Sequence, residues 1–359
     1  MDILNRRAFI DFSSIAENID ILRRRYAPGK RIIAYVKAEG YGHGINDDFL
    51  HSMQYVDAFA VASIDEAITL RKLTDKIILF NSAYLSEATF KAARQYNIDI
   101  VVHTQFDDLN EFCQPLSRLW IKVNTGMNRM GLTITQAKQI LRDNKNKKVI
   151  LMTHLADSVI HSDENERQLS VLYDIKREFP EVELSFANSA RILSQKEMGD
   201  WIRPGILLYG AVPFLSQTGA EFGFRPVLTF QARVIAHQHL SAGDSVGYSR
   251  QFRAPKDMSI AIVSAGYADG YPRISDGTSY ASYQSHQFHI IGHVSMDTLQ
   301  IASSNEEPLP PIGAWVTLWG DDCPIEKLAL ATGTSPYELL VNLSNRVERV
   351  SQTMGEKIE

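Results

Sequence analysis

Cysteine is scarce in this chain, which has two, Cys113 and Cys323, among 359 residues. They do not have the spacing of metal ligands, and they do not make the disulfide framework that holds small secreted domains together. We therefore expect two unreactive thiols in a reducing compartment. The fold must then rest on packing, and a chain of 359 residues is long enough for about two domains with a large core.

Long hydrophobic runs and an excess of positive charge are also missing. Although 45% of the residues are hydrophobic, no apolar run approaches the ~18 residues that span a bilayer. The formal net charge of −5 gives no electrostatic footprint for nucleic acid. The first residues, MDILNRRAFIDF, lack the basic, apolar and small-residue succession of a signal peptide. We expect a cytoplasmic protein without a membrane or nucleic-acid partner.

Eight apolar runs of strand length recur through the first two thirds of the chain, most of them followed by a stretch with helical periodicity. These runs are residues 32–37, 58–62, 76–80, 99–103, 119–124, 149–154, 182–186 and 206–209. Strands that alternate with helices favour a parallel sheet, and eight strands close a (β/α)8 TIM barrel. An open doubly wound sheet is the alternative. To bind a dinucleotide it would need a Gly-x-Gly-x-x-Gly turn, a spacing that Gly40, Gly42 and Gly44 do not have.

The hydrophobic pattern of the sequence changes after about residue 224. Short runs follow, several of them alternating apolar with polar residues, between turns rich in glycine, aspartate and proline. That pattern is typical of antiparallel strands. We predict an α/β protein with a barrel over residues 1–224, a mainly antiparallel β domain over residues 225–359 and a polar tail over residues 352–359.

Polar side chains stand at or just after the C-terminal ends of the predicted barrel strands. They are Lys37, His103, Asn124 with Arg129, His154, and Asn188 with Ser189. The loops at that rim build the active sites of barrel enzymes, so we expect these side chains to converge on one place.

Lys37 is the most informative of them. It ends a buried apolar strand and enters a turn with three glycines, so its side chain should meet a cavity or a ligand. An ammonium buried there costs several kcal/mol unless it is paired or neutralised, and burial favours the free amine that attacks carbonyl groups. Schiff-base chemistry is one interpretation. A strand-end lysine in a salt bridge is the other.

The stretch VKAEGYGHG, residues 36–44, resembles the pyridoxal-phosphate (PLP) lysine motif of alanine racemases, usually VKANAYGHG. Further motifs of that family follow in the same order along the chain. They are KVNTGMNRMG at 122–131, NSA at 188–190, RPGILLYG at 203–210, GYADG at 266–270 and GHVSMD at 292–297. The resemblance implies a homodimer with shared active sites that interconverts L-alanine and D-alanine by two-base proton transfer. The D-alanine would supply cell-wall peptidoglycan.

The resemblance also implies roles for single residues. Lys37 and Tyr267 match the two catalytic bases, and Tyr267 would act in the partner's site. Lys122 matches a lysine that is often carbamylated, although an ordinary buried ion pair would explain it equally well. Substrate binding is implied for Arg129, Met296 and Asp297. Cofactor binding is implied for Lys37, Tyr41, Arg129, His154, Ser189, Arg203, Gly205 and Ile206.

Arg203 matches an arginine that faces the pyridine nitrogen of PLP in that family. Arginine does not readily give up its proton, so that nitrogen stays unprotonated and the ring is a weaker electron sink. Racemisation is then favoured over transamination. Barrel-type PLP amino-acid decarboxylases, the alternative enzyme class, place a carboxylate there instead, and a non-enzymatic PLP carrier would have no use for Tyr267, Met296 and Asp297.

Three positions depart from the family pattern. Asn345 stands where a tyrosine is usual, His293 where many members have arginine, and Ser185 close to a usual histidine. The substrate could therefore be another small amino acid, such as serine. We predict no metal, because His286, His289 and His293 do not share one face of a strand.

Overall fold

The computed structural model describes residues 4–81, 84–106, 109–157, 162–273, 278–303 and 307–351. The chain divides into two compact units. The barrel unit comprises Ile19–Gly40 and Ile45–Leu208, and the sheet unit comprises Met1–Asn18, Tyr41–Gly44 and Tyr209–Glu359. The division of the sequence at residues 224 and 225 stays a prediction, and the predicted polar tail lies outside the described residues.

Eight parallel strands close the barrel in chain order. After β1 (Arg6–Ile10), which belongs to the sheet unit, they are β2 (Arg31–Tyr35), β3 (Ala58–Val61), β4 (Ile77–Phe80), β5 (Asp99–Val102), β6 (Arg118–Lys122), β7 (Lys148–Met152), β8 (Glu183–Ser185) and β9 (Trp201–Ile202). Their inward side chains form a buried core that includes Ile33, Val101 and Ile150. Trp120 and Trp201 meet edge to face in that core, with ring centroids 5.3 Å apart.

The last barrel strand does not lie where the sequence predicts it. Residues 206–209 belong to a 3-10 helix, Gly205–Tyr209, and β9 precedes it at Trp201–Ile202. Pro204 has no N–H to donate to a strand ladder, and Gly205 takes a φ of 48°. The chain therefore leaves the barrel at Arg203, and the Leu207 N–H closes a turn on the Pro204 carbonyl at 3.0 Å.

One helix precedes the first barrel strand, and helices follow most of the barrel strands. They are α1 (Phe12–Ile21, continued by a π-helix over Leu22–Tyr26), α2 (Asp47–Ser52), α3 (Ile64–Arg71), α4 (Glu87–Gln95), α5 (Leu109–Cys113), α6 (Ile134–Asp143), α7 (Asp163–Glu178) and α8 (Ser189–Leu193). Capping boxes, Ser63 with Glu66 and Thr133 with Gln136, fix where α3 and α6 begin. Among the described residues, no helix combines the length and the apolar character that crossing a membrane requires.

The sheet unit contains an eight-stranded sheet in which all neighbours are antiparallel except β1 and the last strand. Its other strands are β10 (Leu228–Leu240), β13 (Met258–Val263), β14 (Tyr280–Tyr283), β15 (His286–Ile291), β16 (Leu299–Ser303), β17 (Trp315–Trp319) and β18 (Glu348–Ser351), while β11 (Ser245–Val246) and β12 (Phe252–Arg253) form a separate ribbon. Helices α9 (Ile325–Thr332) and α10 (Pro336–Val341) and 3-10 turns at Gly219–Phe222, Tyr248–Arg250 and Tyr267–Asp269 complete the unit. The predicted barrel followed by a mainly antiparallel domain is confirmed.

Candidate active site

Lys37 begins a left-handed turn directly after β2. Ala38, Glu39 and Gly40 have φ values of 51°, 54° and 61°, and the Gly40 N–H donates to the Val36 carbonyl at 3.0 Å. A left-handed conformation costs about 1–2 kcal/mol at each residue other than glycine. Lys37 itself is exposed, so the expectation that the strand buries its ammonium is wrong. The strand ends at Tyr35, and the turn lifts the next side chains into solvent.

Two features favour glycine at position 40: the positive φ and the lack of space for a side chain. A Cβ atom added there would lie 2.9 Å from Cε2 of Phe49, which comes from α2. The ring of Phe49 is fully buried and fixed by its packing, so it cannot move aside cheaply. The turn after Lys37 therefore sits against the barrel wall without room for a methyl group.

Arg129 stands on a loop that is closed by its own hydrogen bonds. The Leu132 N–H donates to the Lys122 carbonyl at 2.8 Å and the Asn124 N–H donates to the Leu132 carbonyl at 3.0 Å. Inside the loop the Asn124 side chain accepts from the N–H groups of residues 126 and 128. Arg129 is exposed and lines an open groove of about 720 Å³ together with His103.

Arg203 is buried and held by neutral oxygen atoms. Its Nη1 donates to Oγ of Ser185 at 2.8 Å, and its Nη2 donates to the Thr153 carbonyl at 2.7 Å. Burial lowers the pKa of Arg203, and the Tyr35 side chain opposes that effect. The guanidinium is thus fixed at the ends of β7 and β8 by partners that carry no charge.

Two further side chains lie in a strongly cationic environment. Burial, followed by the charges of Arg203, Lys122, Arg129 and Lys37, lowers the pKa of His154 to about 3. Burial lowers the pKa of Lys122 to about 8, and Arg203, Arg129 and Lys37 act in the same direction.

This environment decides the charge states of both groups. His154 is a neutral imidazole at pH 7, and an appreciable fraction of Lys122 is a neutral amine. Lys37, Arg129 and Arg203 thus act electrostatically on both Lys122 and His154, and of these five residues Lys37, Arg129 and His154 belong to the predicted strand-end group.

Hydroxyl and amide donors lie at the end of the same barrel. Ser189 is buried, and its hydroxyl donates to the Pro204 carbonyl. Gly205 and Ile206 open a 3-10 helix, whose leading N–H groups have no acceptor within the helix. Asn188 caps α8 by accepting from the Arg191 N–H at 3.0 Å. Donors of this kind suit an anion.

Four of the predicted site residues belong to the sheet unit. Tyr41 is 7% exposed and stacks on Tyr209, with ring centroids 4.9 Å apart. Tyr267 and Met296 are exposed at 45% and 52%. Asp297 pairs with Nη2 of Arg346 at 2.6 Å.

Backbone hydrogen bonds fasten the Tyr267 turn to the Met296 loop. The Tyr267 N–H donates to the Ser295 carbonyl and the Ala268 N–H donates to the Met296 carbonyl, both at 3.0 Å. Gly266 is required there, since a Cβ atom would lie 2.3 Å from the Met296 carbonyl oxygen. The Tyr267 turn and the Met296 loop are therefore joined into one structural piece by their backbone hydrogen bonds.

A buried carboxylate holds this piece in place. Asp269 is fully buried, accepts from the Gly266 N–H at 2.9 Å and pairs with Nη1 of Arg6 at 2.5 Å. Nε of Arg346 lies 3.4 Å from the same carboxylate oxygen. Arg346 thus links Asp269 to Asp297.

Sequence reasoning missed some residues of this neighbourhood. Thr153 could not be identified from its residue type, because it binds Arg203 through its backbone carbonyl group, which every residue has. Ser185 was noted only as a departure from a family pattern, and the structure shows that it holds Arg203. Within the described ranges, no three His, Cys, Asp or Glu side chains gather as a metal site would require.

The fold and these side chains define a barrel enzyme with a separate β domain, in which an exposed lysine follows the first barrel strand and arginines stand near it. Family models for the alanine racemase N-terminal domain and C-terminal domain match residues 10–213 and 227–351. The chain belongs to the alanine racemase family.

Relatives and solved structures agree with that assignment. The alanine racemase of Nitrosomonas europaea is 36% identical to this chain and covers 96% of it and 98% of its own length. The structure of alanine racemase from Acinetobacter baumannii has a TM-score of 0.91 at 32% identity and covers 97% of this chain and 99% of its own. A structure from Bartonella henselae is described as alanine racemase with covalently bound pyridoxal phosphate. It has a TM-score of 0.84 at 28% identity, and the match covers 97% of this chain and 100% of that one.

Proposed function

We propose that this protein is a PLP-dependent alanine racemase that interconverts L-alanine and D-alanine and supplies D-alanine for peptidoglycan in the cytoplasm. The observation that carries the proposal is the grouping of Lys37, Arg129, His154 and Arg203 in the barrel unit of a chain that belongs to this family. An amine, two guanidinium groups and a neutral imidazole can together bind a phosphorylated aldehyde and an amino-acid carboxylate.

The donor set of the barrel fits PLP. Lys37 is exposed and offers the amine that would link to the cofactor aldehyde. The amides of Gly205 and Ile206 would bind the phosphate, with the Tyr41 hydroxyl as a further donor. The Ser189 hydroxyl would also donate to it by turning away from the Pro204 carbonyl. PLP, when bound, supplies an electron sink for the charge that develops at the substrate Cα.

Arg203 would face the pyridine nitrogen of the cofactor. Its partners, Ser185 and Thr153, are neutral, so no carboxylate beside it could deliver a proton to that nitrogen. A weakened electron sink favours return of the proton to Cα, which supports racemisation rather than transamination. Arg129 would bind the phenolic oxygen of the cofactor and the substrate carboxylate. The neutral His154 would lie near the cofactor and tune the neighbouring groups.

Inversion at Cα requires one base on each face of the substrate. Lys37 would hold or move the proton on one face, and Tyr267 from the second subunit of a homodimer would do so on the other. Tyr267 and Met296 are exposed apolar side chains on one connected piece, which is the kind of surface that a partner covers. Met296 and Asp297 would contact the substrate.

Lys122 is proposed to be carbamylated. A pKa of about 8 leaves part of the amine neutral near pH 7, and three cations nearby favour an anion at that position. The amine nitrogen would form a bond to CO₂ and release one proton. Protein equilibrated with ¹³C-bicarbonate should show a carbamate carbon resonance that Lys122→Met removes, and a spectrum without that resonance would reject this assignment.

A circular dichroism assay of D/L interconversion over a panel of amino acids tests the activity. We expect alanine to be interconverted fastest. Faster turnover of serine would assign the chain to another small-amino-acid racemase, a possibility that Asn345 raises. Release of CO₂ without inversion would assign it to the barrel-type decarboxylases and would reject the proposal.

A further inference from the structure

Glu66 completes the capping box at the start of α3, in which Ser63 is the N-cap residue. Ser63 and Glu66 form a capping box, in which the Glu66 N–H donates to Oγ of Ser63 and the Ser63 N–H donates to Oε2 of Glu66, both at 3.1 Å. Glutamate at this position of a helix is common and by itself indicates nothing beyond a stable helix start.

The carboxylate of Glu66 also accepts hydrogen bonds from outside the capping box. Oε2 accepts from the Ala62 N–H at 2.8 Å. Oε1 accepts from the Ala38 N–H at 2.9 Å. One carboxylate therefore binds three backbone N–H groups in two loops, and one of these groups belongs to the residue that follows Lys37.

The Ala38 bond meets the turn at a residue with a strained backbone. Ala38 is the first of five consecutive residues with positive φ, Ala38 to Gly42, and a strained conformation persists only where the surrounding structure determines it. Further contacts of the turn include the Gly40 N–H to the Val36 carbonyl, which spans it, and the packing of Gly40 on Phe49 at its far end. Glu66 binds the N–H of the residue next to Lys37.

We propose that Glu66 is a positioning residue for Lys37: its carboxylate holds the left-handed turn and thereby fixes the direction in which the Lys37 side chain leaves β2. This inference rests on the proposed function, in which Lys37 carries the cofactor and moves a proton at Cα. Ionised acceptors make the stronger hydrogen bonds to backbone N–H groups, so a carboxylate suits this task better than an amide.

The variant Glu66→Gln separates the positioning role from the helix cap. Glutamine supports a capping box in this same protein, where Gln136 accepts from the Thr133 N–H at 2.9 Å. An amide has one acceptor oxygen, so it can serve Ser63 and Ala62 or Ala38, but not both sides at once. Asp65→Asn is the matched control, because Asp65 is an exposed carboxylate in the same helical turn.

Hydrogen exchange measured by mass spectrometry reports how well the backbone N–H groups of the turn are protected. The peptide that contains residues 36–41 should exchange faster in Glu66→Gln than in the wild type, whereas Asp65→Asn should leave it unchanged. In the holoenzyme, kcat for alanine should fall about 10- to 100-fold with little change in KM, as expected when a reacting group is displaced by about 1 Å.

Equal exchange over residues 36–41 in Glu66→Gln and the wild type would overturn the inference, and so would equal effects of the two variants on kcat. A wild-type protein that does not interconvert alanine would instead count against the proposed function. The exchange comparison does not depend on activity, so it would still decide whether Glu66 holds the turn.

Discussion

Gly40 combines a left-handed backbone with a contact that leaves no room for a side chain. Gly40→Ala should lower the free energy of unfolding by about 1–2 kcal/mol for the φ of 61°, and further for the contact with Phe49. Gly29→Ala is the control, because Gly29 has a φ of 72° and no atom within 4 Å of an added Cβ. Urea unfolding of both variants should show the larger loss for Gly40→Ala. Equal losses would contradict the described fit against Phe49.

His154 should make the stability of the protein depend on pH. Its pKa is lowered to about 3, whereas an unfolded histidine has a pKa near 6.5. Between these values the unfolded chain binds a proton that the folded chain does not. Stability should therefore fall as the pH is lowered through this range, by at most about 1.4 kcal/mol per pH unit.

Replacement of the histidine tests that effect. Denaturant unfolding at pH 7 and pH 5 should show a smaller loss of stability on acidification for His154→Gln than for the wild type. His51→Gln, which removes an exposed histidine, should keep the loss of the wild type. The same dependence in all three proteins would mean that His154 takes up a proton as readily in the folded state as in the unfolded state.

Charged side chains hold the Tyr267 turn through the buried Asp269 carboxylate. Arg6→Gln should leave the buried Asp269 carboxylate with the Arg346 nitrogen, 3.4 Å away, as its cation. We expect a loss of about 1–3 kcal/mol in the free energy of unfolding and a fall in kcat of about tenfold, because the turn shifts. Arg6→Lys should restore part of both.

The neighbouring residue of β1 provides the control for this prediction. Arg7 lies over the Trp315 ring, with its guanidinium carbon 4.2 Å from the centroid, and donates to Gln231 at 3.0 Å. Arg7→Gln therefore removes an arginine from the same strand without touching Asp269. Similar kcat values for the two variants would mean that Arg6 affects activity by stabilising β1 and not through its ion pair with Asp269.

The barrel strands show how far elements can be predicted from this sequence. Seven of the eight lie within two residues of their predicted ends, because a strand buried on both faces is a continuous apolar run. The eighth was misplaced because residues 206–209 are equally apolar but are buried in a 3-10 helix. Burial alone cannot distinguish the two, and the Pro204-Gly205 pair was the signal against a strand.

The candidate site was predictable where a side chain ends a strand, and less so where a contact joins two loops. Lys37 and His154 stand two residues after the ends of β2 and β7, and Arg129 stands on the loop that follows β6. The bond from Ala38 to Glu66 joins residues 28 positions apart, and no sequence pattern near Lys37 points to it. Burial of Lys37 was predicted wrongly, because the left-handed turn that exposes it contains Ala38 and Glu39, residues that rarely take a positive φ.

At the scale of the whole molecule, the proposed catalytic residues belong to different units of the chain. Lys37 lies in the barrel unit, and Tyr267 lies in the sheet unit. The proposed racemase is a homodimer in which each site takes Lys37 from one protomer and Tyr267 from its partner. Each single variant, Lys37→Ala or Tyr267→Phe, should therefore be nearly inactive by itself.

Mixing the two variants under conditions that allow subunits to exchange tests this account most directly. A two-fold dimer with shared sites gives each heterodimer one doubly altered site and one intact site. About half of the dimers are heterodimers at random mixing, so alanine racemase activity should recover to about a quarter of the wild-type value per site. Activity that stays at the level of the separate variants, with subunit exchange demonstrated, would contradict the shared site.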